Sequence, residues 1–129
     1  MFVDASAMVA IILGEADRQE LLDEMQGADQ LRTSVVSVFE TMLAIGRETG
    51  NRAEALSIVQ RFLDAGPIVV DAIDGGLLPA LSDVQLRYGK GSGHPAKLNL
   101  GDCFSYAMAK ASGVPLLYKG EDFALTDLG

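Results

Sequence analysis

Apolar residues run along this chain in two rhythms, and the change from one to the other marks out its elements. Met1-Phe2-Val3, Ile68-Val69-Val70 and Pro115 to Tyr118 are short unbroken apolar runs, each followed by acids or glycine, as buried strands are. Gln30 to Thr33 predicts one more short strand. Between the strands, apolar positions recur every three or four residues. Ala5 to Leu13 predicts a helix stopped by Gly14, and Ala16 to Met25 a surface helix with Leu21, Leu22 and Met25 as its stripe. Ser34 predicts the cap of a helix carrying Val35, Val36, Val38, Phe39, Met42, Leu43 and Ile45, ended by Gly50. Asn51 to Asp64 predicts its hairpin partner, with Ala55, Leu56, Val59, Phe62 and Leu63 inward and Gly66-Pro67 as the break.

In the second half, Asp71 closes its strand and Asp74 predicts the next helix cap. Leu77, Leu78, Leu81, Val84 and Tyr88 form that helix's apolar face, with Pro79 making its start late or irregular. Gly89 to Lys97, rich in glycine, predicts a mobile loop. The last helix opens at Asn99 or Gly101, buries Phe104, Ala107, Met108 and Ala111, and stops at Gly113. Ala124 to Leu128 predicts a short final strand. Strands alternating with helices define an α/β chain with a mainly parallel sheet, and 129 residues fit one domain.

Composition narrows the class. Hydrophobic residues make up 49% of the chain, ample for a core, yet no apolar run approaches the roughly 20 residues that span a bilayer. One cysteine permits no internal disulfide, and no basic, apolar leader opens the sequence. A cytoplasmic protein without a membrane partner is the expectation. The net charge of −8 argues against a protein held to nucleic acid by a general positive field, but not against a local basic rim.

Four acidic positions carry the candidate chemistry. Asp4 stands where the first strand ends, and Glu40 lies in the second turn of the Ser34 helix. Asp102 lies in the first turn of the last helix, and Glu121-Asp122 follow the last strand. Each has an ordinary local explanation. Asp4 is a good cap for the amides of Ser6 or Ala7, Ser37 and Glu40 fit a capping box, and Asp102 suits a helix dipole. Together they occupy the strand ends and early helical turns that converge on one edge of a parallel sheet. Carboxylates gathered there repel one another and raise their own pKa values, a penalty that a divalent cation removes. Hard oxygen donors, without histidine or cysteine clusters, select Mg²⁺ or Mn²⁺ over zinc. The glycines of Gly89-Lys90-Gly91-Ser92-Gly93 do not fit a phosphate-binding loop, since Gly-Lys is not followed by Ser or Thr before a helix. His94, the one histidine, reads as a turn residue, and Cys103 as a small core residue.

The pieces Val3-Asp4-Ala5-Ser6, Glu40 on a Ser/Val-rich helix, Asn99-Leu100-Gly101-Asp102-Cys103 and Leu117-Tyr118-Lys119-Gly120-Glu121-Asp122-Phe123 resemble a PIN-domain ribonuclease of the VapC toxin branch. The resemblance runs from end to end. It implies a three-layer α/β domain and an RNA-cleaving site using Mg²⁺ or Mn²⁺. It also implies a cognate antitoxin, a homodimer and an RNA substrate as partners. Carried over, Asp4, Glu40 and Asp102 are the core catalytic and metal-binding acids, with Ser6 as a supporting polar group. Asp122 is the fourth acid and Glu121 its alternate, because the branch usually carries Asp or Asn where Glu121 stands. Arg87, Lys90 and Lys97, around the glycine-rich segment, are the expected RNA contacts.

Three other readings set the contrast. A phosphorelay receiver would use Asp71 and Lys119, yet needs paired acids after the first strand, where Asp4 is followed by Ala5. A haloacid-dehalogenase-type phosphatase needs an acid two residues after Asp4, where Ser6 stands. A catalytically dead binding module has no reason to keep the acids. An antitoxin is expected to point an Arg or Lys at Asp4, Glu40 and Asp102, and to cover apolar surface near Leu13, Leu21 or Leu43.

Overall fold

The computed structural model describes residues 1–129. Its centre is a sheet of four parallel strands: β1 (Phe2–Val3), β2 (Arg32–Ser34), β3 (Val69–Asp71) and β4 (Leu116–Leu117), in the order β3-β2-β1-β4. Helices α1 (Ala5–Ile12) and α2 (Arg18–Gln26) join β1 to β2, and α3 (Val35–Thr49) and α4 (Ala55–Ala65) join β2 to β3. A 3-10 turn (Gly75–Leu77), α5 (Leu78–Tyr88) and α6 (Leu100–Ser112) lead back to β4. The helices flank the sheet on both sides, giving the expected three-layer α/β fold.

The pleat sorts the core in two. In register across β1 and β4, Val3 and Leu117 point to one side, Phe2 and Leu116 to the other. Val3 and Leu117 join Met8, Ile11, Leu21, Ile45, Val59 and Leu63 under α1 to α4. Phe2 and Leu116 join Val84, Leu98, Tyr106, Met108 and Phe123 under α5 and α6. Both faces are covered, which is why these strands are apolar runs and do not alternate. β3, at the edge opposite β4, leaves Val69 and Val70 exposed.

Several sequence expectations need correction. On α3 the buried positions are Ser37, Thr41, Ile45 and Gly46, with Val38 and Met42 packed against the core beside them; of the expected stripe, Val35, Phe39 and Leu43 face outward. The hairpin partner starts at Ala55, because the Asn51 side chain accepts from the Glu54 amide (3.2 Å) and holds the preceding residues in turns. The glycine-rich loop is tethered. Leu98 N–H donates to the Tyr88 carbonyl (2.9 Å) and Gln85 Nε2 to the Lys90 carbonyl (3.0 Å). Ala124 to Leu128 forms turns and no strand. Thr126 Oγ1 donates to the Phe123 carbonyl (2.7 Å) and accepts from the Leu128 amide (3.2 Å), side-chain bonds that compete with a sheet ladder. Asp127 anchors those turns through Lys110 (2.5 Å) and Tyr106.

Candidate active site

Asp4 is 4% exposed, so its carboxylate must find its partners within the protein. The α1 N-terminus supplies two. The Ser6 amide (2.9 Å) and Ser6 Oγ (2.6 Å) both donate to Asp4 Oδ2. The capping role and the proposed functional one are thus the same geometry: the cap holds the carboxylate at the strand end. The third donor comes from 101 residues away, where Ser105 Oγ donates to Asp4 Oδ1 (2.5 Å). Ser105 is fully buried on α6 and shares a hydrogen bond with buried Ser37 of α3 (3.2 Å). The Ser37 amide in turn donates to Ser34 Oγ, the α3 cap (3.3 Å). This chain, from Asp4 through Ser105 and Ser37 to Ser34, ties β1, α6 and α3 together behind the acids.

Glu40 sits where α3 crosses the start of α6. A Cβ built on Gly101 would fall within the Glu40 carboxylate, so the glycine is what lets that carboxylate lie against the α6 backbone. Burial raises the Glu40 pKa to about 7, with Asp4 and then Asp102 adding to the shift. Asp102 closes a capping box. Asn99 Oδ1 accepts from the Asp102 amide (2.9 Å) and Asp102 Oδ2 from the Asn99 amide (3.1 Å). That leaves Asp102 Oδ1 without a hydrogen bond in the box. Burial is again the main cause of its shift to about 6, opposed by the Asn99 amide and reinforced by Asp4 and Asp122. The structure therefore brings Asp4, Glu40 and Asp102 into one mutually repelling group, with Asp122 close enough to act on Asp102. Glu121 is exposed in the same turn.

No three of these carboxylates are drawn into a closed set of metal ligands. The donor chemistry nonetheless fits a hard divalent cation. The group is all carboxylate, and two of its members are held at raised pKa by burial and by their neighbours. Cys103, next to Asp102, has its thiol pushed up by burial and turned toward Gln85 and the Leu98 carbonyl (each 3.9 Å), away from nucleophilic use.

The expected basic contacts divide. Lys90 is exposed, and its charge lowers the Asp102 pKa, which places it beside the acids. Lys97 is exposed at a left-handed φ of 47°. Arg87 has other partners: Asp83 (3.4 Å), the hydroxyl of Tyr88 (3.1 Å) and Asp127 (3.9 Å). It belongs to the bracing of the chain end, where Tyr106 also bonds Asp127. His94 is the turn residue the sequence predicts. Its Nδ1 accepts from the Ala96 amide (3.1 Å) and its ring stands edge-on to Tyr88, 4.8 Å between centroids. Lys119 is ion-paired with Glu15 (2.8 Å) and Asp17 (3.5 Å), so it is not the lysine of a receiver site.

Four helices join the first three strands, and the acids gather where β1, α3 and α6 meet. The chain belongs to the PIN-domain family, which matches residues 1–128. Within that family its relatives are VapC ribonucleases. Ribonuclease VapC42 of Mycobacterium tuberculosis is 41% identical over 128 residues, covering 99% of this chain and 96% of that one. A VapC ribonuclease of Rhizobium meliloti is 43% identical, covering 99% of both chains. Among solved structures, VapC20 of Mycobacterium tuberculosis, a Sarcin-Ricin loop cleaving toxin, superposes with a TM-score of 0.74. It covers 95% of this chain at 19% identity, a likeness of fold.

Sequence reasoning missed Ser105, Ser37 and Gly101. Ser105 follows Asp102 by three residues and Ser37 precedes Glu40 by three, which puts each serine on its acid's helix face but does not say what that face meets.

Proposed function

We propose that this protein is a metal-dependent endoribonuclease toxin, cutting RNA phosphodiester bonds at the Asp4, Glu40 and Asp102 group and held in check by a cognate antitoxin. The observation that carries the reading is the convergence of these three acids from β1, α3 and α6, supported by full-length similarity to VapC ribonucleases. Asp4, Glu40 and Asp102 would hold Mg²⁺ or Mn²⁺, with Asp122 as the fourth acid and Glu121 as its alternate. A bound divalent ion supplies charge neutralisation and water activation for attack on phosphorus. The chain's own contributions are positional. Ser6 and Ser105 fix both oxygens of Asp4, Asn99 fixes one oxygen of Asp102, and Gly101 admits Glu40. Lys90, beside Asp102, would contact the RNA backbone, with Lys97 as a further contact from the same loop; Arg87 can join them only by leaving its present partners.

Val35, Phe39 and Leu43 form an exposed apolar stripe at helical spacing on α3, which supports a homodimer through that face. An antitoxin would direct an arginine or lysine at the acids. Leu13 and Leu43 are exposed and open to its apolar residues, whereas Leu21 is buried. No helix is long and apolar enough to cross a membrane.

The test is incubation of purified protein with mixed RNA, with and without Mg²⁺ or Mn²⁺, beside Asp4→Asn and Asp102→Asn. Cleavage should need the metal and vanish in both variants while their melting curves stay cooperative. Cutting that persists in excess chelator would overturn the reading.

A further inference from the structure

Beside the acids lies an open cleft of about 560 Å³ whose lining includes Ser6, Glu40, Leu43, Arg47 and Lys119. We infer that this cleft between α1 and α3 is the track for the RNA strand leaving the acidic group, with Arg47 gripping a backbone phosphate. The inference rests on the ribonuclease reading and adds a substrate contact to it.

Two features join the cleft to the acids. Glu40 and Arg47 are seven residues apart, two turns along one face of α3, so their Cα atoms stand about 10 Å apart along the helix. At the other wall the Lys119 amide donates to Ser6 Oγ (3.0 Å), and that hydroxyl donates to Asp4 Oδ2 (2.6 Å). The cleft thus opens directly onto the group that would cut.

Charge decides which side chain does the gripping. Glu15 also lines the cleft, but its carboxylate is taken up by Lys119 at 2.8 Å. Arg47 has only the neighbouring, exposed Glu48 at 3.8 Å, a contact that water screens strongly. It is therefore the cation in the cleft with donors to spare, and its planar fork suits a phosphodiester. Ala44 on α3 and Val9 on α1 give the cleft an apolar floor against which a base or ribose can lie. In a chain of net charge −8, one such cation beside the acids matters more than it would on a basic surface.

The measurement is binding of a short single-stranded RNA by fluorescence anisotropy, in an Asp4→Asn background so that cleavage does not interfere, across a series of salt concentrations. Arg47→Gln should weaken binding by about tenfold and flatten the plot of log affinity against log salt by about 0.7, one phosphate contact's share. In otherwise unaltered protein it should raise KM for RNA with little change in kcat. Arg47→Lys should restore part of the affinity. Unchanged affinity, slope and KM in Arg47→Gln would overturn the inference and leave the ribonuclease reading standing. Loss of inhibition by a co-purified protein partner, with RNA binding intact, would assign the cleft to that partner and overturn it equally. Absence of metal-dependent cleavage in the unaltered protein is a separate result, and counts against the ribonuclease reading itself.

Discussion

Glu40 and Asp102 hold their protons at about 7 and about 6, against ordinary values of 4.5 and 3.8. Both bind protons more tightly folded than unfolded, so in metal-free protein their contribution to stability falls as pH rises from about 4 to about 7. Glu40→Gln, which removes the ionisation, should therefore raise the melting temperature at pH 8 in chelator and leave it unchanged near pH 4.5. Allowing for solvent screening at this half-buried site, the gain is about 1 kcal/mol, or roughly 3 °C. Differential scanning fluorimetry at the two pH values checks it; a gain of equal size at both would mean that the charge of Glu40 is not what strains the site. Gly101→Ala tests the same carboxylate from the other side. The glycine has ordinary helical φ, so alanine should favour the helix by up to about 1 kcal/mol on propensity alone. Its methyl would occupy the Glu40 carboxylate's place, and we expect cleavage to fall at least about tenfold while the fold persists. Wild-type cleavage in that variant would show that Glu40 need not lie there. As candidates, Asp4 and Asp102 stood out in the sequence at a strand end and in a first helical turn, and Glu40 as an acid among apolar neighbours in a second turn. Ser105 and Gly101 did not, because their roles depend on α6 crossing β1 and α3, and nothing local records a crossing.

At the scale of elements, caps and site coincide. Asp4 caps α1 and Asp102 closes the box of α6, so the α1 and α6 N-termini carry acids whose orientation the caps set. Asn99→Ala should cost about 1 kcal/mol as a lost cap and also loosen Asp102. Asn99→Ser should recover the stability, since serine caps as well. Calorimetry of Mn²⁺ binding then separates the two effects: the alanine variant should bind more weakly than the serine variant at a temperature where both are folded. Equal affinities would confine Asn99 to the helix end. Strands β1, β3 and β4 were readable as short apolar runs and the helices from a repeat of three to four residues, whereas β2 is polar in sequence although Thr33 and Ser34 are buried. The failures have a common cause. On α3 the apolar pattern found Ile45, Val38 and Met42 but missed buried Ser37 and Thr41, Ser37 being part of the Asp4 network, and wrongly turned Val35, Phe39 and Leu43 inward. At the chain end, the short strand expected over Ala124 to Leu128 was overruled by the bonds of Thr126 and Asp127.

For the whole molecule, the sheet order β3-β2-β1-β4 puts β1 inside, flanked on both sides, and so places Asp4 at a central strand end beneath α3 and α6. That position collects acids from the start, middle and end of the chain, and leaves the outward stripe of α3 free. If Val35, Phe39 and Leu43 are covered by a second copy, Phe39→Glu should convert a dimer to a monomer in sedimentation equilibrium; a species of unchanged mass would remove this face from consideration. A net charge of −8 makes a divalent ion the natural partner of the acidic edge and makes substrate affinity depend on a few local cations. The central claim is that Asp4, Glu40 and Asp102 act as one metal-binding group that cuts RNA. Its most direct test is a Mn²⁺ titration of one protein preparation, following bound metal by electron paramagnetic resonance and cleavage of a labelled RNA in parallel. Metal occupancy and cleavage should rise together in the unaltered protein, and both should be lost in Asp4→Asn, Glu40→Gln and Asp102→Asn. Cleavage without bound Mn²⁺ and without contaminating metal, or Mn²⁺ binding undiminished in all three variants, would contradict it.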